Sequence, residues 1–397
     1  MALVINEDYI NPEKSNIEVV ERKGMGHPDT LADKLAEECS RTYSNYCYHK
    51  YGAILHYNLD KLYIGAGLFK YENGKINKYS NITVNLNGRI SNEMNNEKIN
   101  IDEILRPVIK KYLKSVLPRL DVENDLTINI NSTQNTKRDN WYKPKSLEDL
   151  PDYYDINAND TSLCVSNGGL TFCEQLALEI EQMFWNYNDF YPTPKYDDIG
   201  QDIKVMVTRI GKNVDLSISL PVYKDKFNNM NEFAIIIKKY EKIINEKIKT
   251  IPNPNNYKVN IGIDKLPDGN YDGYALVIGS CCECGEEGVV GRGNDSKGLI
   301  SAIRPHTMEA ASGKNTRYHT GCVLAFLGNR VTERIFNELG IKSTLYFVTR
   351  NKNPLLNPYI FYLSVDRKTE ENNIRKIISE EFNEDFIKKI IQKRRLY

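Results

Sequence analysis

Apolar positions in this 397-residue chain recur with two periods, and the way those periods alternate sets the expected fold. Leu31, Ala32, Leu35, Ala36 and Cys39 fall at helical spacing, with Lys34, Glu37, Glu38 and Arg41 among the intervening positions. The same period predicts helices over Ile101–Leu117 (despite Pro107), Thr171–Trp185, Asn231–Lys249 and Cys322–Leu339. Two more are expected near Glu370–Glu381 and Glu384–Arg395, the second capped by Asn383. Between the helices lie strand-like runs. Ile17–Glu21 alternates poorly but holds strand formers, and Ile54–Gly67 reads as two strands joined at Asn58–Asp60. Residues 70–99 read as a polar hairpin with long turns. Further strands are expected at Leu126–Ile130, Tyr257–Ile263, Tyr274–Gly279, Ser343–Thr349 and Tyr359–Val365, with a hairpin turning at Gly211–Asn213. Strand, helix, paired strands and helix recur about three times without a sequence repeat, which predicts an α/β chain of three similar layered units.

Composition narrows the class. Hydrophobic residues make up 41% and charged residues 27%, as in a soluble globular protein. No apolar run approaches the ~18 residues of a membrane span. The first residues lack a basic region followed by an apolar stretch, so no signal peptide is expected and the compartment expected is the cytoplasm. Lysine and arginine balance aspartate and glutamate at 53 each, which does not favour a nucleic-acid partner. Cys281-Cys282-Glu283-Cys284 lacks a second Cys-x-x-Cys or His pair, so reduced thiols are favoured over a metal site.

Against this neutral background, residues 285–321 stand out. Between Gly291 and Thr320, Arg292, Lys297, Arg304, Lys314 and Arg317 face only Asp295 and Glu309, in a segment rich in glycine. Close backbone approach at the glycines, with basic side chains beside them, suits a polyphosphate. Gly24-Met25-Gly26-His27-Pro28-Asp29 immediately precedes the first helix. Either Asp29 caps that helix, or Pro28 occupies its first turn with His27 just before it. Both arrangements put His27 and Asp29 at a helix N-terminus, which favours anions.

Three runs in the first of these stretches, Gly285-Glu-Glu-Gly-Val-Val-Gly-Arg-Gly-Asn, Arg304-Pro and Met308-Glu-Ala-Ala-Ser-Gly-Lys-Asn, closely resemble the archaeal-type S-adenosylmethionine synthetases (methionine adenosyltransferases). Gly26-His-Pro-Asp29, the His56-x-Asn-x-Asp60-Lys61 run, Asn157-Ala-Asn159-Asp160 and Gly200-x-Asp-Ile-Lys-Val-Met206 extend the resemblance, which covers Glu21 to about Gly321. It implies three interleaved α/β subdomains in a pseudo-threefold arrangement, with mixed sheets packed by helices. The expected grouping is 1–25 with 152–280, 26–118 with 281–321, and 119–151 with 322–397. It also implies a homodimer with active sites at its interface, ATP and L-methionine as substrates, and Mg²⁺ as cofactor, with K⁺ a second candidate.

The implied reaction joins the methionine sulfur to C5′ of ATP and then hydrolyses the departing triphosphate. Charge on that leaving group is the chemical difficulty, and Asp, His, Lys and Arg in glycine-rich turns are suited to it. By resemblance, His27, Arg292 and Lys314 neutralise the triphosphate, with Asp60 and Lys61 as further catalytic candidates. Glu21, Asn159, Asp160, Glu286, Arg304 and His319 are candidates for binding the substrates, and Asp29 and Asp160 for binding the metal. Lys314 is expected to lie unshielded in a loop outside the core. The chain also departs from the family. Ser132–Thr136 replaces a glycine-serine loop, Gly168-Gly169 stands where Ala-Pro is expected, and Tyr318 and Thr320 hold the places of a lysine and an aspartate of the bacterial branch. Two other readings remain: a transferase acting on a different thioether, and a nucleotide sensor without turnover.

Overall fold

Three mixed sheets, each backed by helices, carry the chain in a computed structural model that describes residues 3–133, 139–150, 152–187, 191–383 and 385–392. The first half supplies β1 (Leu3–Asn6), β2 (Ile17–Lys23), α1 (Pro28–Tyr51), β3 (Tyr57–Gly65), β4 (Ile82–Ile90), α2 (Ile101–Val116), β5 (Leu126–Thr133), β6 (Leu163–Gly168) and α3 (Phe172–Gln182). Next come β7 (Lys204–Ile210), β8 (Asn213–Ser219), α4 (Met230–Thr250), β9 (Lys258–Ile263), β10 (Glu287–Val289) and β11 (Ile300–Ser301). The chain closes with α5 (Thr320–Leu339), β12 (Ser343–Val348), β13 (Ile360–Val365), α6 (Glu371–Glu381) and α7 (Phe386–Gln392). Parts of the glycine-serine loop replacement (134–136) and of the last expected helix (Glu384 and 393–395) lie outside the described residues.

The sheets run β1-β13-β12-β6, β9-β8-β7-β2-β11 and β10-β3-β4-β5. Each has one parallel pair, β1 with β13, β8 with β9 and β4 with β5, and is otherwise antiparallel. Parallel neighbours need a crossover, and α2 and α4 supply it for the last two pairs. Helix α1 covers the third sheet with α2 packed against it, α3 covers the second, and α5 the first. Strands from distant parts of the chain meet in every sheet. β1 pairs with the C-terminal β13 rather than within residues 152–280, and β5 pairs with β4 rather than with the C-terminal segment. Local pattern carries no information on such long-range partners.

Three expectations are corrected. Asn58–Asp60 is no hairpin tip: β3 runs straight through it. Leu59 and Asp60 together oppose Gly88, between the pairs Asn58–Arg89 and Lys61–Asn87, which is a β-bulge. A side chain on Gly88 would meet the Asn58 carbonyl at 2.3 Å, so glycine is required there. In residues 70–99 the polar hairpin splits into Leu68–Glu72 with Lys75–Ser80 and a short pair, Glu93–Met94 with Glu97–Lys98, and between them β4 is an interior strand with Ile82, Val84, Leu86 and Ile90 buried. The strand expected at Tyr274–Gly279 shrinks to Ala275–Leu276. Among the described residues no helix is long and apolar enough to cross a membrane.

The poor alternation of β2 has a physical cause. Its inward positions are Glu18, Val20 and Arg22, so two of the three are charged. Arg22 pairs with Glu181 of α3 at 2.6 Å, and Glu18 with Arg209 of β7 at 3.2 Å. Glu181 also accepts from the Trp185 indole at 2.6 Å and from the Met25 N–H at 3.2 Å. Removing one member of a buried, hydrogen-bonded pair strands the other. Arg22→Met is therefore expected to lower the unfolding free energy by about 3–5 kcal/mol. Urea denaturation of the two proteins measures this, and unchanged midpoints would show that Glu181 finds compensation elsewhere.

Candidate active site

The end of β2 and the start of α1 build the first group of site residues. Gly24 donates its N–H to the Ile203 carbonyl at 2.7 Å and Gly26 to that of Gln201 at 3.0 Å. A Cβ at either glycine would come within 2.4 Å of those backbones, so only glycine fits. This close contact fixes where α1 begins. His27 is its N-cap, and Nδ1 accepts the Asp29 N–H at 3.2 Å, with Pro28 in the first turn. Burial lowers the His27 pKa to about 4, Asp29 opposing and Lys23 and Lys204 adding to the shift. The ring is therefore neutral near pH 7, and with Nδ1 accepting, Nε2 carries the proton and donates.

Around His27 the charges are already paired. Lys23 Nζ lies 2.9 Å from Asp29 and donates to the Arg292 carbonyl at 2.7 Å, and Lys204 lies 2.9 Å from Glu21. Asp29 also accepts the Val289 N–H at 3.2 Å and sits 3.9 Å from the exposed Arg292 guanidinium. Strand β10 crosses so close to α1 that a Cβ on Gly288 would fall 2.0 Å from the Pro28 carbonyl.

A second group gathers beside the middle of α1. Ser40 donates to the Lys314 carbonyl at 2.9 Å, Ser44 bonds the Thr316 hydroxyl at 2.9 Å, and the Tyr57 hydroxyl accepts the Thr316 N–H at 3.2 Å. Gly313 has a φ of +77°, and a Cβ there would meet the Leu59 carbonyl at 2.6 Å. The β3 bulge and the 313–316 turn are thus bolted together. Lys314, Asn315 and Thr316 are buried, which corrects the expectation of an unshielded loop outside the core. The Lys314 ammonium pairs with Glu309, whose carboxylate also lies 3.9 Å from His319 Nδ1. Burial, with the charges of Lys314, Lys61 and Arg89, holds His319 well below the usual histidine range. Asp60 pairs with the exposed Lys61 at 2.8 Å. Asn159 accepts the Thr320 N–H at 2.9 Å at the start of α5, and the exposed Asp160 accepts its neighbour's N–H at 2.7 Å.

Two candidates stand apart. Arg304 is buried, with its guanidinium committed to Glu174 at 2.7 Å, to the Gly169 carbonyl at 2.7 Å and to the Tyr9 hydroxyl at 2.5 Å. It ties the chain to α3 and is not available to a substrate. Glu286 is exposed, near the buried Asp202, whose carboxylate accepts the Cys281 N–H at 2.9 Å. Burial chiefly, with Glu286 and Glu283 adding, raises Asp202 to about 7. The cysteine-rich turn is organised by Glu283, which accepts three successive N–H groups from Val277 to Gly279.

From Asp29 to Ser40 is eleven residues of α1, about 16 Å at 1.5 Å per residue. The α1 anchor points of the two groups, Asp29 for the first and Ser40 for the turn that carries Lys314, are thus about 16 Å apart. Among the described residues no three His, Cys, Asp or Glu side chains could hold a metal ion. Asp29, at the N-terminal group, is a carboxylate of the kind that can hold a hard cation. Sequence reading missed Lys23, Arg89 and the partner role of Glu309. Lys23 directly precedes the Gly24–Gly26 turn, whereas Arg89 is revealed only by its register opposite Asn58.

The three-sheet architecture matches a structure described as an unusual S-adenosylmethionine synthetase from Campylobacter jejuni. The match covers 94% of this chain and 88% of that one, with a TM-score of 0.52 and 12% identity, and so shows the fold. The chain belongs to the S-adenosylmethionine synthetase (AdoMet synthetase) family, a family of transferases, whose sequence model matches residues 3–394. An uncharacterized protein of Streptococcus pyogenes serotype M3 is 35% identical over 385 residues, 96% of this chain and 94% of its own. The S-adenosylmethionine synthase of Methanospirillum hungatei is 34% identical over 328 residues, 82% of this chain and 78% of its own, and that of Sulfolobus acidocaldarius is 31% identical over 344 residues, 83% and 81%.

A depressed histidine pKa sets a direction for pH dependence. The unfolded chain, with His27 near the ordinary 6.5, binds more protons than the folded one down to about 4. His27's contribution is thus present above pH 6.5 and lost as pH falls through 4. His27→Gln is expected to flatten the stability profile across that window relative to the parent, as measured by urea melts from pH 4 to 7. Parallel profiles would mean that the ring is not buried in its neutral form.

Proposed function

We propose that this protein makes S-adenosylmethionine from ATP, L-methionine and water, releasing pyrophosphate and phosphate, in sites each shared by two copies of the chain. The observation that carries the composite site is the separation of two basic groups along α1, each holding only part of the expected set. In the first step a lone pair on the methionine sulfur forms the S–C5′ bond as the C5′–O bond breaks and its electrons leave with the triphosphate. Water then cleaves the triphosphate. The sulfur is neutral and needs no general base. The chain's task is to meet the negative charge that grows on the leaving oxygens.

Lys23, Lys204, Arg292 and the Nε2–H of His27 form one cationic and hydrogen-bonding surface for the triphosphate, at a helix N-terminus that itself favours anions. Lys314, Lys61 and His319 form the other, contributed by the second copy. In the chain as it stands His27 offers a donor and not a charge. Glu21 and Asp60 are the carboxylates placed to meet the methionine ammonium or to position the lysines beside them. When bound, Mg²⁺ supplies further charge for the leaving group, and Asp29 is the residue to hold it, with Asp160 on the other surface.

Purified protein with Mg²⁺, ATP and L-methionine is expected to yield the sulfonium product by mass spectrometry, with pyrophosphate and phosphate in equal amounts. Nucleotide binding without product would favour the sensor reading. Mixing inactive His27→Ala and Lys314→Ala chains tests the shared site. Random exchange makes half the dimers mixed, each with one intact site, so about a quarter of parental activity should return. No recovery, with mixed dimers present, would place both groups in one chain's site.

Lys314→Ala alone is expected to lower kcat by about a hundred- to a thousandfold. KM for ATP should change far less, as befits an interaction that strengthens as the bond breaks. Because Lys314 is buried against Glu309, its melting temperature should fall as well. Steady-state kinetics below that melting temperature separates the two effects, and a kcat near the parent's would remove Lys314 from the chemistry.

A further inference from the structure

The cysteine-rich turn has no task in the proposed reaction. Six of the eight cysteines are buried, and only Cys281, partly exposed, and Cys284, exposed, reach the surface. These two sit three residues apart on a single 3₁₀ turn, Cys281–Glu283, and the Cys284 N–H donates to the Cys281 carbonyl at 2.9 Å. Side chains three apart on such a turn eclipse one another, and a rise of about 2.0 Å per residue puts their Cα atoms about 6 Å apart. Disulfides span Cα distances of about 4.4–6.8 Å.

The backbone of the turn is held from several sides, so the thiols need only rotate to meet. Glu283 accepts the N–H groups of Val277, Ile278 and Gly279. Gly67 donates to the Cys282 carbonyl at 2.9 Å and accepts the Gly285 N–H at 2.9 Å. The Cys282 side chain packs into the core, which leaves the other two on the accessible side. The Cys281 thiol lies 3.0 Å from the Tyr274 hydroxyl, and its N–H donates to Asp202 at 2.9 Å. Burial chiefly, with the carboxylates of Glu283, Glu286 and Asp202, raises the Cys284 thiol to about 11. Burial and Asp202 raise that of Cys281 as well. Neighbouring carboxylates oppose a thiolate but leave a neutral disulfide untouched. A bridge here is slow to form and, because its leaving thiols are so weakly acidic, slow to open.

We propose that Cys281 and Cys284 are a dithiol modification site, which exchanges with a low-molecular-weight disulfide to form a reversible Cys281–Cys284 bridge. The exposed Cys284 reacts first. Its thiolate bonds to one sulfur of the reagent, the reagent's S–S bond breaks, and one thiolate leaves. Cys281, as thiolate, then attacks the Cys284 sulfur, the mixed S–S bond breaks, and the second thiolate leaves. The two departing thiolates take up the two protons that the cysteines give up. The chain is oxidised by two electrons and the reagent reduced by two. A metal ion fits less well, since among the described residues no three His, Cys, Asp or Glu side chains could hold one. The pair adjoins the candidate active site without belonging to it. Ser280 donates to the Gly26 carbonyl at 2.6 Å, and the Gly279 carbonyl accepts the N–H groups of Gln201 and Asp202. A bridge would stiffen the turn on which both sides of that glycine contact rest.

The inference does not rest on the proposed reaction, and its test uses no nucleotide. The whole protein is held overnight in millimolar oxidised glutathione with a chelator, then denatured, alkylated and weighed by mass spectrometry. The untreated chain is expected to take up eight alkyl groups and the treated chain two fewer, with no glutathione retained. Dithiothreitol should restore all eight. Cleavage after Glu283 separates Cys284 from Cys281 and Cys282, and the two fragments should stay joined until reduced. Cys281→Ser is expected to keep one glutathione on Cys284, and Cys284→Ser to form no bridge, while both variants melt as the parent does. Should a serine variant fail to fold, fragmentation of the joined peptide from the parent places the bond and decides. Eight free thiols after treatment overturn the inference. So does glutathione retained on the parent in place of a bridge, a bond to Cys282 or to a second copy, or a bridge that persists in either serine variant.

Discussion

The contact between the Gly24–Gly26 turn and the backbone of Gln201–Ile203 is the constraint on which the rest of the site depends. Two hydrogen bonds and the absence of two β-carbons let the end of β2 press directly against the start of β7. Beneath the turn, Glu181 holds both Arg22 and the Met25 N–H. The direction in which α1 leaves the second sheet follows from this. So does the placement of its N-terminus, and with it that of His27 and Asp29. The same helix, eleven residues on, bolts down the 313–316 turn through Ser40 and Ser44. One helix thus places both groups of candidate residues, and its length keeps them apart.

Electrostatically, each lysine already has an acid. Lys23 holds Asp29, Lys204 holds Glu21, and Lys314 holds Glu309. A surface organised this way is nearly neutral before ligand arrives, in keeping with a chain whose formal charges cancel. A polyanion has to exchange these pairs rather than fill a bare cationic patch. The exchange releases carboxylates beside the phosphates, where a divalent cation is wanted. Parting Lys204 from Glu21 and Arg292 from Asp29 costs little, because Lys204 is partly and Arg292 largely exposed and exposed ion pairs stabilise by only about 0–1 kcal/mol. Lys23–Asp29 and Lys314–Glu309 are more deeply buried and cost more to separate.

What the sequence could reveal depended on whether the cause was local. The helices were legible because their apolar faces repeat at short range, and so was the His27 end of α1, because glycine, proline and an N-cap leave local marks. β2 was only half legible, since Glu18 and Arg22 point inward and find partners 191 and 159 residues away. The Asn58–Asp60 bulge looks like a turn in sequence because turn-forming residues also suit bulges, and only Gly88 and Gly313 distinguish the two. Strand partners β1–β13 and β4–β5 were illegible for the same reason: nothing near β1 names a strand more than 350 residues later. Arg304 shows the opposite case, where a motif residue expected to meet a ligand has its guanidinium engaged by Glu174, the Gly169 carbonyl and the Tyr9 hydroxyl, partners that no local pattern names.

Tyr318 illustrates how a departure from a family pattern is resolved by geometry. At the place read as that of a bacterial-branch lysine, the Tyr318 ring is buried and stacks on His56, centroids 5.0 Å apart and planes 13° from parallel. Its hydroxyl bonds His56 Nδ1 at 2.6 Å. The backbone direction is set by Asn315 and Thr316, whose side chains and N–H groups are anchored to Leu55, Ser44 and Tyr57. A lysine in this rotamer would bury its ammonium among aromatic rings. Positive charge reaching His319 comes first from Lys314 of the loop and then from Lys61 on β3 and Arg89 on β4. The bulge sets the positions of the last two, because Leu59 and Asp60 together oppose Gly88 and leave Lys61 opposite Asn87 and Arg89 opposite Asn58. The sheet beside the turn thus adds its charge to that of Lys314 around one buried ring.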